Sequence, residues 1–460
     1  MPNETPQSGF QGFRLLLLLF LFLTGSELEA SAWKPNQMQA GFYVGQRFRH
    51  EQNLAAGFAP QWEQSSRFLY QANVVLALDL DWYSFGTVSC VLDSGEISED
   101  TIQDGTLDND RTDDAFFQQG YFESYFLDDQ GVAFKVGQQH IVSGDSYILD
   151  DFLLAGQMGL DLHAMLDLPL ELYGSVTRIQ GSSLYFQLKA VHPFTAYERL
   201  ALSIGWLHDT EGLLAQLLEE TVSQIPGSPA AGLSFESQSD IVWLALSAKK
   251  VVSGFRFSLV GILNTGSSTL SGIDNGGRAF RSDFSSLGYL IDFLVGRSLT
   301  DRLVLDLFYL MASGEDDPAG AIQGGEILHA YLSIVPFITR TNLFFNGGIN
   351  ENFSTRSFGT AGHSARGFGA PGIRMTYSFL DNLWMIFKAA YLFSAASPPE
   401  RAAGRTYGWE TDLMGYWDIG DHVRLSMEAD LFLPGGFFER PELTDPDPAY
   451  RLMGGVDFFF

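Results

Sequence analysis

The chain has 460 residues, 46% hydrophobic and 14% aromatic, with the single cysteine Cys90 and a net charge of −28. One cysteine cannot form an internal disulfide. So acidic a chain is not expected to bind nucleic acid, whose phosphates need basic patches, or anionic lipid headgroups through a basic face. The length allows two or three soluble domains or one large all-β unit.

The N-terminal segment has the layout of a secretory signal peptide. Arg14 precedes an unbroken apolar run, Leu15–Leu23, and Ala30-Ser31-Ala32 forms a small-x-small cleavage site. The alternative is a membrane anchor helix, but such a helix needs about 20 apolar residues. We therefore predict that residues 1–32 are cleaved. The strand pattern described next predicts that residues 33–460 form one β-barrel.

Segments with a hydrophobic period of two follow along the rest of the chain. The clearest is His422–Leu431, and similar segments are Gly41–His50, Asp114–Phe126, Val132–Ile141, Arg302–Met311 and Asn382–Phe393. This period is typical of β-strands with one apolar face. In water that face would pack on a second sheet. In a membrane barrel it faces lipid, and the polar face lines the lumen.

The connections between these segments alternate in length. Short connections are predicted at Asp79–Trp82, Asp128–Gly131, Asp167–Pro169, His192–Tyr197, Lys249–Gly254, Gly296–Asp301, Phe337–Thr341, Leu380–Asn382 and Asp418–Asp421. Long connections are predicted at His50–Ser65, Asp93–Asp113, Gly144–Met158, His208–Ser237, Thr265–Asp283, Ser313–Gly325, Asn350–Gly367, Ala395–Arg405 and Pro434–Pro448. Gln180–Ser182 is a short exception among the long ones. Turns at one rim and loops at the other are typical of outer-membrane barrels rather than Greek-key sandwiches.

These patterns predict the fold class. We expect an all-β protein: a single transmembrane antiparallel up-and-down β-barrel of 18–20 strands, with short periplasmic turns and long extracellular loops. The pattern gives about 20 strands, and removing one hairpin in the poorly patterned region Asp161–Ile179 would give 18. A barrel this wide encloses either a water channel or a folded-in loop, because its own side chains cannot fill it.

The alternation places charged residues on the face predicted to line the lumen. The basic residues are Arg47, Arg49, Lys135, Lys388 and Arg424, and the acidic residues are Glu123, Asp306, Glu410, Asp412, Glu428 and Asp430. Opposite charges on neighbouring strands could simply pair with each other in a wet lumen. Alternatively, a narrow ring of one sign would select ions. Arg47 with Arg49 is the candidate for anion contact, and Glu410 with Asp412 is the candidate for cation contact.

Two connections carry further patterns. Asp104, Asp108 and Asp110 form a calcium candidate, but their spacing is not that of an EF-hand, and a solvated acidic loop is the simpler interpretation. We therefore predict no metal or other cofactor. Glu211–Val222 has leucines at helical spacing and could form a short helix across the mouth or on the outer rim.

The predicted last strand carries an alternating apolar set, Tyr450, Leu452, Val456, Phe458 and Phe460. A final strand that ends on an aromatic residue resembles the C-terminal assembly signal of bacterial outer-membrane barrels. The resemblance implies recognition by the barrel-assembly machinery and contact with outer-membrane lipid.

Several short motifs resemble the alginate-export-type outer-membrane channels. They are Arg47-Phe48-Arg49-His50-Glu51, Val136-Gly137-Gln138-Gln139 with Ser143-Gly144-Asp145, Gly408-Trp409-Glu410-Thr411-Asp412-Leu413, and Leu431-Phe432-Leu433-Pro434-Gly435. Gln138 stands where that family usually has Arg. The resemblance implies an 18-stranded channel that passes a polyanionic or similar polymer outward.

The sequence therefore predicts a channel of the bacterial outer membrane. No Gly-x-Ser-x-Gly or His-Glu-x-x-His motif is present, and we do not expect an enzyme. The lead hypothesis is a passive porin or exporter for hydrophilic solutes or a polysaccharide, with loops folded in as a gate. The alternative is a plugged barrel whose acidic extracellular loops bind a surface partner.

Overall fold

The structure is a computed structural model of the chain. It describes residues 33–52, 64–82, 86–103, 106–108, 114–126, 131–195, 198–212, 234–273, 279–334, 336–346, 359–362, 365–398, 402–439 and 446–459.

Within these residues, eighteen antiparallel strands close a single wall. The main sheet has twenty strands, of which Thr106–Asp108 and Ile327–Leu328 are short additions. The wall strands are β1 (Trp33–Gln52), β2 (Gln64–Trp82), β3 (Gly86–Gln103), β4 (Asp114–Phe126), β5 (Val132–Ser143), β6 (Leu149–Asp161), β7 (Glu171–Gln180), β8 (Ser183–Pro193), β9 (Arg199–Asp209), β10 (Ser234–Val252), β11 (Phe255–Ile273), β12 (Ala279–Ser298), β13 (Leu303–Ala312), β14 (Phe368–Leu380), β15 (Leu383–Phe393), β16 (Thr406–Ile419), β17 (Val423–Pro434) and β18 (Ala449–Phe459). Each strand pairs with its neighbours in sequence, and β18 pairs with β1 to close the ring.

Burial alternates along the described wall strands. On β9, Leu202, Ile204 and Trp206 are exposed, whereas Ser203 and Leu207 are buried. Large apolar side chains are exposed on the outer face from β4 to β18, for example Leu188 (68%), Met427 (55%) and Leu307 (53%). A soluble monomer rarely exposes so much contiguous apolar surface. The outer face therefore suits contact with lipid.

Aromatic side chains lie near both ends of this apolar band. Trp409 and Trp417 lie towards opposite ends of β16 and are 54% and 44% exposed. A rise of about 3.3 Å per residue and a tilt of about 40° put them about 20 Å apart along the barrel axis. This spacing is close to the height of the apolar band in outer-membrane barrels.

The connections follow the predicted alternation between two rims. One rim has the short connections, at residues 83–85, 127–131, 162–170, 194–198, 253–254, 299–302, 381–382 and 420–422. The other rim has the long connections and three short ones, at residues 144–148, 181–182 and 274–278. Helix α1 (Leu162–Leu166) lies in a short connection, capped by the Asp161 side chain, which accepts from two backbone N–H groups. The up-and-down plan and the predicted 18–20 strands are confirmed.

Some predicted boundaries were wrong. The long connection predicted at Gly144–Met158 is mostly strand β6, and only residues 144–148 link it to β5. The hairpin in the poorly patterned region Asp161–Ile179, whose removal would have given 18 strands, is present as β6, α1 and β7. The turn predicted at Phe337–Thr341 is not a wall turn, because residues 313–367 leave the wall as one segment. The described residues of this segment contain helices α2 (Pro318–Gly324) and α3 (Leu343–Asn346) but no wall strand, which lowers the count from 20 to 18.

Candidate functional site

Residues 144–148 fold into the barrel and form what we call the short inner loop. At its base, the Ser143 hydroxyl lies 2.6 Å from the hydroxyl of Tyr185 and accepts a 3.0 Å hydrogen bond from Gln187. Tyr185 and Gln187 face inward from β8. Gly144, Asp145 and Ser146 all have positive φ, at 59°, 51° and 75°. This left-handed conformation is unfavourable for a residue with a side chain, by about 1–2 kcal/mol each.

The described residues between β13 and β14 (313–334, 336–346, 359–362 and 365–367) form the long inner loop, which is fastened on one side to β10–β12. The indole N–H of Trp243 donates to the Leu332 carbonyl at 2.8 Å. The Arg340 guanidinium forms a two-bond ion pair with Asp292, whose Nε–Oδ1 distance is 3.0 Å. The side chains of Arg340 and Asp292 are only 14% and 4% exposed. A carboxylate this buried needs a charged partner, and Arg340 supplies it from the loop.

A second fastening of the long inner loop lies on β16. Glu410 accepts hydrogen bonds from the backbone N–H groups of Leu343 (2.5 Å) and Phe344 (2.9 Å). Asp412 accepts from the N–H of Asn342 at 3.0 Å. These N–H groups belong to the start of α3, where no intrahelical acceptor exists. The two carboxylates therefore satisfy the end of the loop helix.

The side chain of Asn342 extends this contact to the neighbouring strands. It accepts from the Lys388 ammonium on β15 at 2.8 Å and donates to Asp430 on β17 at 3.0 Å. Asp430 also pairs with Arg451 of β18, which bonds Glu428 at 2.6 Å. The segment 340–344 thus crosses the interior from β12 to the β15–β18 wall.

The two inner loops also bind each other. Three hydrogen bonds join them: Ile334 N–H to the Ile148 carbonyl (2.8 Å), Phe337 N–H to the Ser146 carbonyl (2.8 Å) and Tyr331 hydroxyl to the Tyr147 carbonyl (3.0 Å). The Tyr147 hydroxyl donates to Asp292 at 2.8 Å. Burial, and then the Asp292 charge, raise the pKa of the Tyr147 hydroxyl well above its usual value. Tyr147 therefore remains protonated and continues to donate this bond.

A cavity of about 380 Å³ remains on the inner face of β4–β9. Its charged lining consists of Glu123, Lys135, Glu171, Lys189 and Arg199, with Gln157, Tyr173, Ser175 and Gln187 among its uncharged lining residues. The Lys135 ammonium lies 3.6 Å from the centre of the Tyr121 ring. The cavity is therefore polar and carries both signs of charge.

Among the predicted lumen residues, four lie under the long inner loop. Glu410, Asp412 and Asp430 are 0%, 1% and 3% exposed, and Lys388 is 6% exposed. These side chains face the barrel interior, but the loop separates them from open space. Glu123 and Lys135, which pair across β4 and β5, instead line the cavity.

The remaining described lumen residues form ion pairs along the inner wall. Asp306 pairs with Arg256 at 2.7 Å, and Arg424 pairs with Asp418 at 2.6 Å. Glu428 pairs with Arg451, as noted above.

Several of the predicted residues either have only their backbone described or lie outside the described residues. Arg47 and Arg49 lie opposite Gly455 and Met453 on β18, and their side chains are outside the description. Asp108 lies on a short strand. Asp104, Asp110, Phe460 and most of Glu211–Val222 lie outside the described residues. Of the predicted assembly signal, Tyr450, Leu452, Val456 and Phe458 are on the outer face of β18, with Leu452 47% and Phe458 38% exposed.

Sequence reasoning placed Glu410 and Asp412 on the inner face but missed three other residues that hold the inner loops, Asp292, Arg340 and Asp145. Asp292 occupies an inward position in the alternating part of β12, and strict alternation would have found it. Arg340 and Asp145 lie outside the wall strands, where a period of two gives no signal.

The fold was compared with solved structures. OpdQ of Pseudomonas aeruginosa matches with a TM-score of 0.53 and 10% identity, over 92% of this chain and 97% of that chain. A BenF-like porin from Pseudomonas fluorescens Pf-5 matches with a TM-score of 0.51 and 13% identity, over 92% and 99%. OccAB4 of Acinetobacter baumannii matches with a TM-score of 0.51 and 10% identity, over 93% and 100%.

The protein has the fold of a porin barrel. This confirms the predicted fold class and agrees with the predicted outer-membrane location. At these sequence identities, the similarity shows a shared fold and does not indicate which solute passes. No family model matches the chain, and no curated protein matches its sequence.

Two further searches covered the described residues. None of the helices there is long and apolar enough to cross a membrane. In the same part of the chain, no group of three or more His, Cys, Asp or Glu side chains is arranged to hold a metal ion.

Proposed function

We propose that the protein is a channel of the bacterial outer membrane through which small hydrophilic solutes diffuse passively. The observation that carries the proposal is a closed wall with an apolar outer face and with a polar cavity on the inner face of β4–β9 that the inner loops do not fill. A closed barrel suits a bilayer because its wall leaves no unpaired strand edge. As part of this proposal, residues 1–32 are a cleaved signal, and the aromatic end of β18 is recognised by the barrel-assembly machinery.

The two inner loops and the cavity beside them favour a small solute over a polysaccharide. Two inner loops cross the interior, and the cavity of about 380 Å³ is at the lower end of the range for small-molecule sites. An alginate-like polymer would pass only if the long inner loop left its fastenings on β12 and β16.

The second candidate is a plugged barrel that binds a surface partner through its outer loops. One observation favours it: the long inner loop is fastened to the wall on two sides by one buried ion pair and by several hydrogen bonds. A loop held this firmly could close the interior completely.

Conductance separates the two candidates. The mature chain, shown to be folded by heat-modifiable electrophoretic mobility, is inserted into planar lipid bilayers, with the heat-unfolded chain as control. We expect discrete current steps, and liposome swelling by small sugars that falls off as the sugar grows. Absence of current from folded protein would reject the channel and support the plugged barrel.

A further inference from the structure

Three basic side chains of the inner wall lie beside the tip of the short inner loop. Asp145 Oδ1 lies 3.5 Å from Arg199 Nη2 on β9, and its Oδ2 lies 3.8 Å from Lys249 Nζ on β10. Lys189 on β8 interacts electrostatically with Asp145, with both other cations and with Glu171. Arg199 and Lys249 remain 42% and 40% exposed, and Arg199 and Lys189 line the cavity. One loop carboxylate therefore faces three cations at a place that is open to the interior.

The backbone holds this carboxylate in an unfavourable conformation. Asp145 and Ser146 both have φ in the left-handed region. The hydrogen bond from Phe337 to the Ser146 carbonyl and the contact of Tyr331 with Tyr147 fix the turn from the long inner loop. Strained residues persist when the surrounding structure fixes them, and they are concentrated at functional sites.

We infer that Asp145 is a specificity-determining residue of the channel, which sets its ion selectivity by offsetting the charge of Lys189, Arg199 and Lys249. The inference rests on the proposed channel function. A unit charge at roughly 7 Å from an ion in a water-like dielectric changes the energy of that ion by about one RT. Low-dielectric walls concentrate this field. The selectivity therefore depends on this cluster rather than on the net charge of −28.

The test is the reversal potential in planar bilayers across a potassium chloride gradient. Asp145→Asn removes the charge but keeps the size, and Asn tolerates the left-handed conformation. We expect the chloride-to-potassium permeability ratio to rise about threefold or more. Asp145→Glu should stay close to the unmodified protein. The matched control is Asp240→Asn on the outer face of β10, where Asp240 is 54% exposed and bonds His208; it should leave the ratio unchanged.

The outcomes separate this inference from the proposed function. No current from the folded, unmodified protein overturns both. Current with equal permeability ratios for Asp145→Asn and Asp240→Asn overturns this inference alone. If Asp145→Asn alters the size of the current step, the test moves to Lys249→Gln, which leaves the backbone of the short inner loop intact. A permeability ratio that shifts toward potassium in Lys249→Gln supports the inference. An unchanged ratio overturns it.

Discussion

Replacing Glu410 by Ala should release the long inner loop from β16. The Glu410 carboxylate is fully buried and accepts the N–H groups of Leu343 and Phe344. Alanine leaves both donors without an acceptor while the loop stays in place. Each buried unsatisfied donor costs about 1–3 kcal/mol, so the fastened state loses about 2–6 kcal/mol. The population of the detached loop should rise between about thirtyfold and twenty-thousandfold.

Single-channel recording measures this release directly. Glu410→Ala should give larger and noisier current steps, and Glu410→Gln, which keeps one acceptor oxygen, should be intermediate. Asp421→Ala, in the exposed turn between β16 and β17, is the control for loss of a carboxylate from the same strand pair. If step size and noise in Glu410→Ala equal those of the control, the contact with Leu343 and Phe344 does not hold the loop.

Three other changes test the remaining fastenings. Arg340→Ala leaves Asp292 buried without a cation and should lower the free energy of unfolding by about 3–5 kcal/mol. The double variant Arg340→Ala/Asp292→Asn should lose less of the free energy of unfolding. Denaturant unfolding in detergent measures both. Gly144→Ala should disturb the short inner loop, since the new Cβ would lie 2.7 Å from Ile148 at a positive φ, and a current step unchanged from the unmodified protein would contradict this. The hydrogen bond from the Ser397 N–H lowers the pKa of Asp316 in the folded protein. Asp316 therefore contributes stability above its unfolded pKa of about 3.9, and this contribution is lost as the pH falls through its folded pKa. Hydrogen exchange of that N–H should therefore be faster in Asp316→Asn at neutral pH, and the difference should vanish in strong acid.

The barrel wall was predictable because lipid and lumen impose a regular pattern. On β17, the outer side chains Leu425, Met427 and Leu431 alternate with Arg424 and Glu428, which face inward. Each wall strand has two different environments on its two faces, and a period of two records them. The connections added the second signal, since most of the short ones lie at one rim and the long ones lie at the other.

The interior was not predictable from such patterns. The long inner loop has apolar residues that resemble a strand, including Leu328, Leu332 and Ile334, yet all three are buried against other parts of the interior. A segment enclosed on all sides has no lipid face, so its apolar residues do not indicate where the wall is. The start of strand β6 was predicted wrongly for the opposite reason, because Asp150 and Asp151 gave a wall strand the composition of a loop.

The charge of the interior follows from the loops rather than from the wall sequence. Alternation correctly identifies a charged residue as inward, but it cannot distinguish an inner wall covered by protein from one open to solute. Glu410 and Asp412, at 0% and 1% exposure, cannot touch a passing ion while the long inner loop is in place. Arg199 and Lys249, whose side chains are 42% and 40% exposed, can touch such an ion. A strongly acidic chain can therefore present cations to its solutes, because the long inner loop covers Glu410, Asp412 and Asp430 while Arg199 and Lys249 stay exposed.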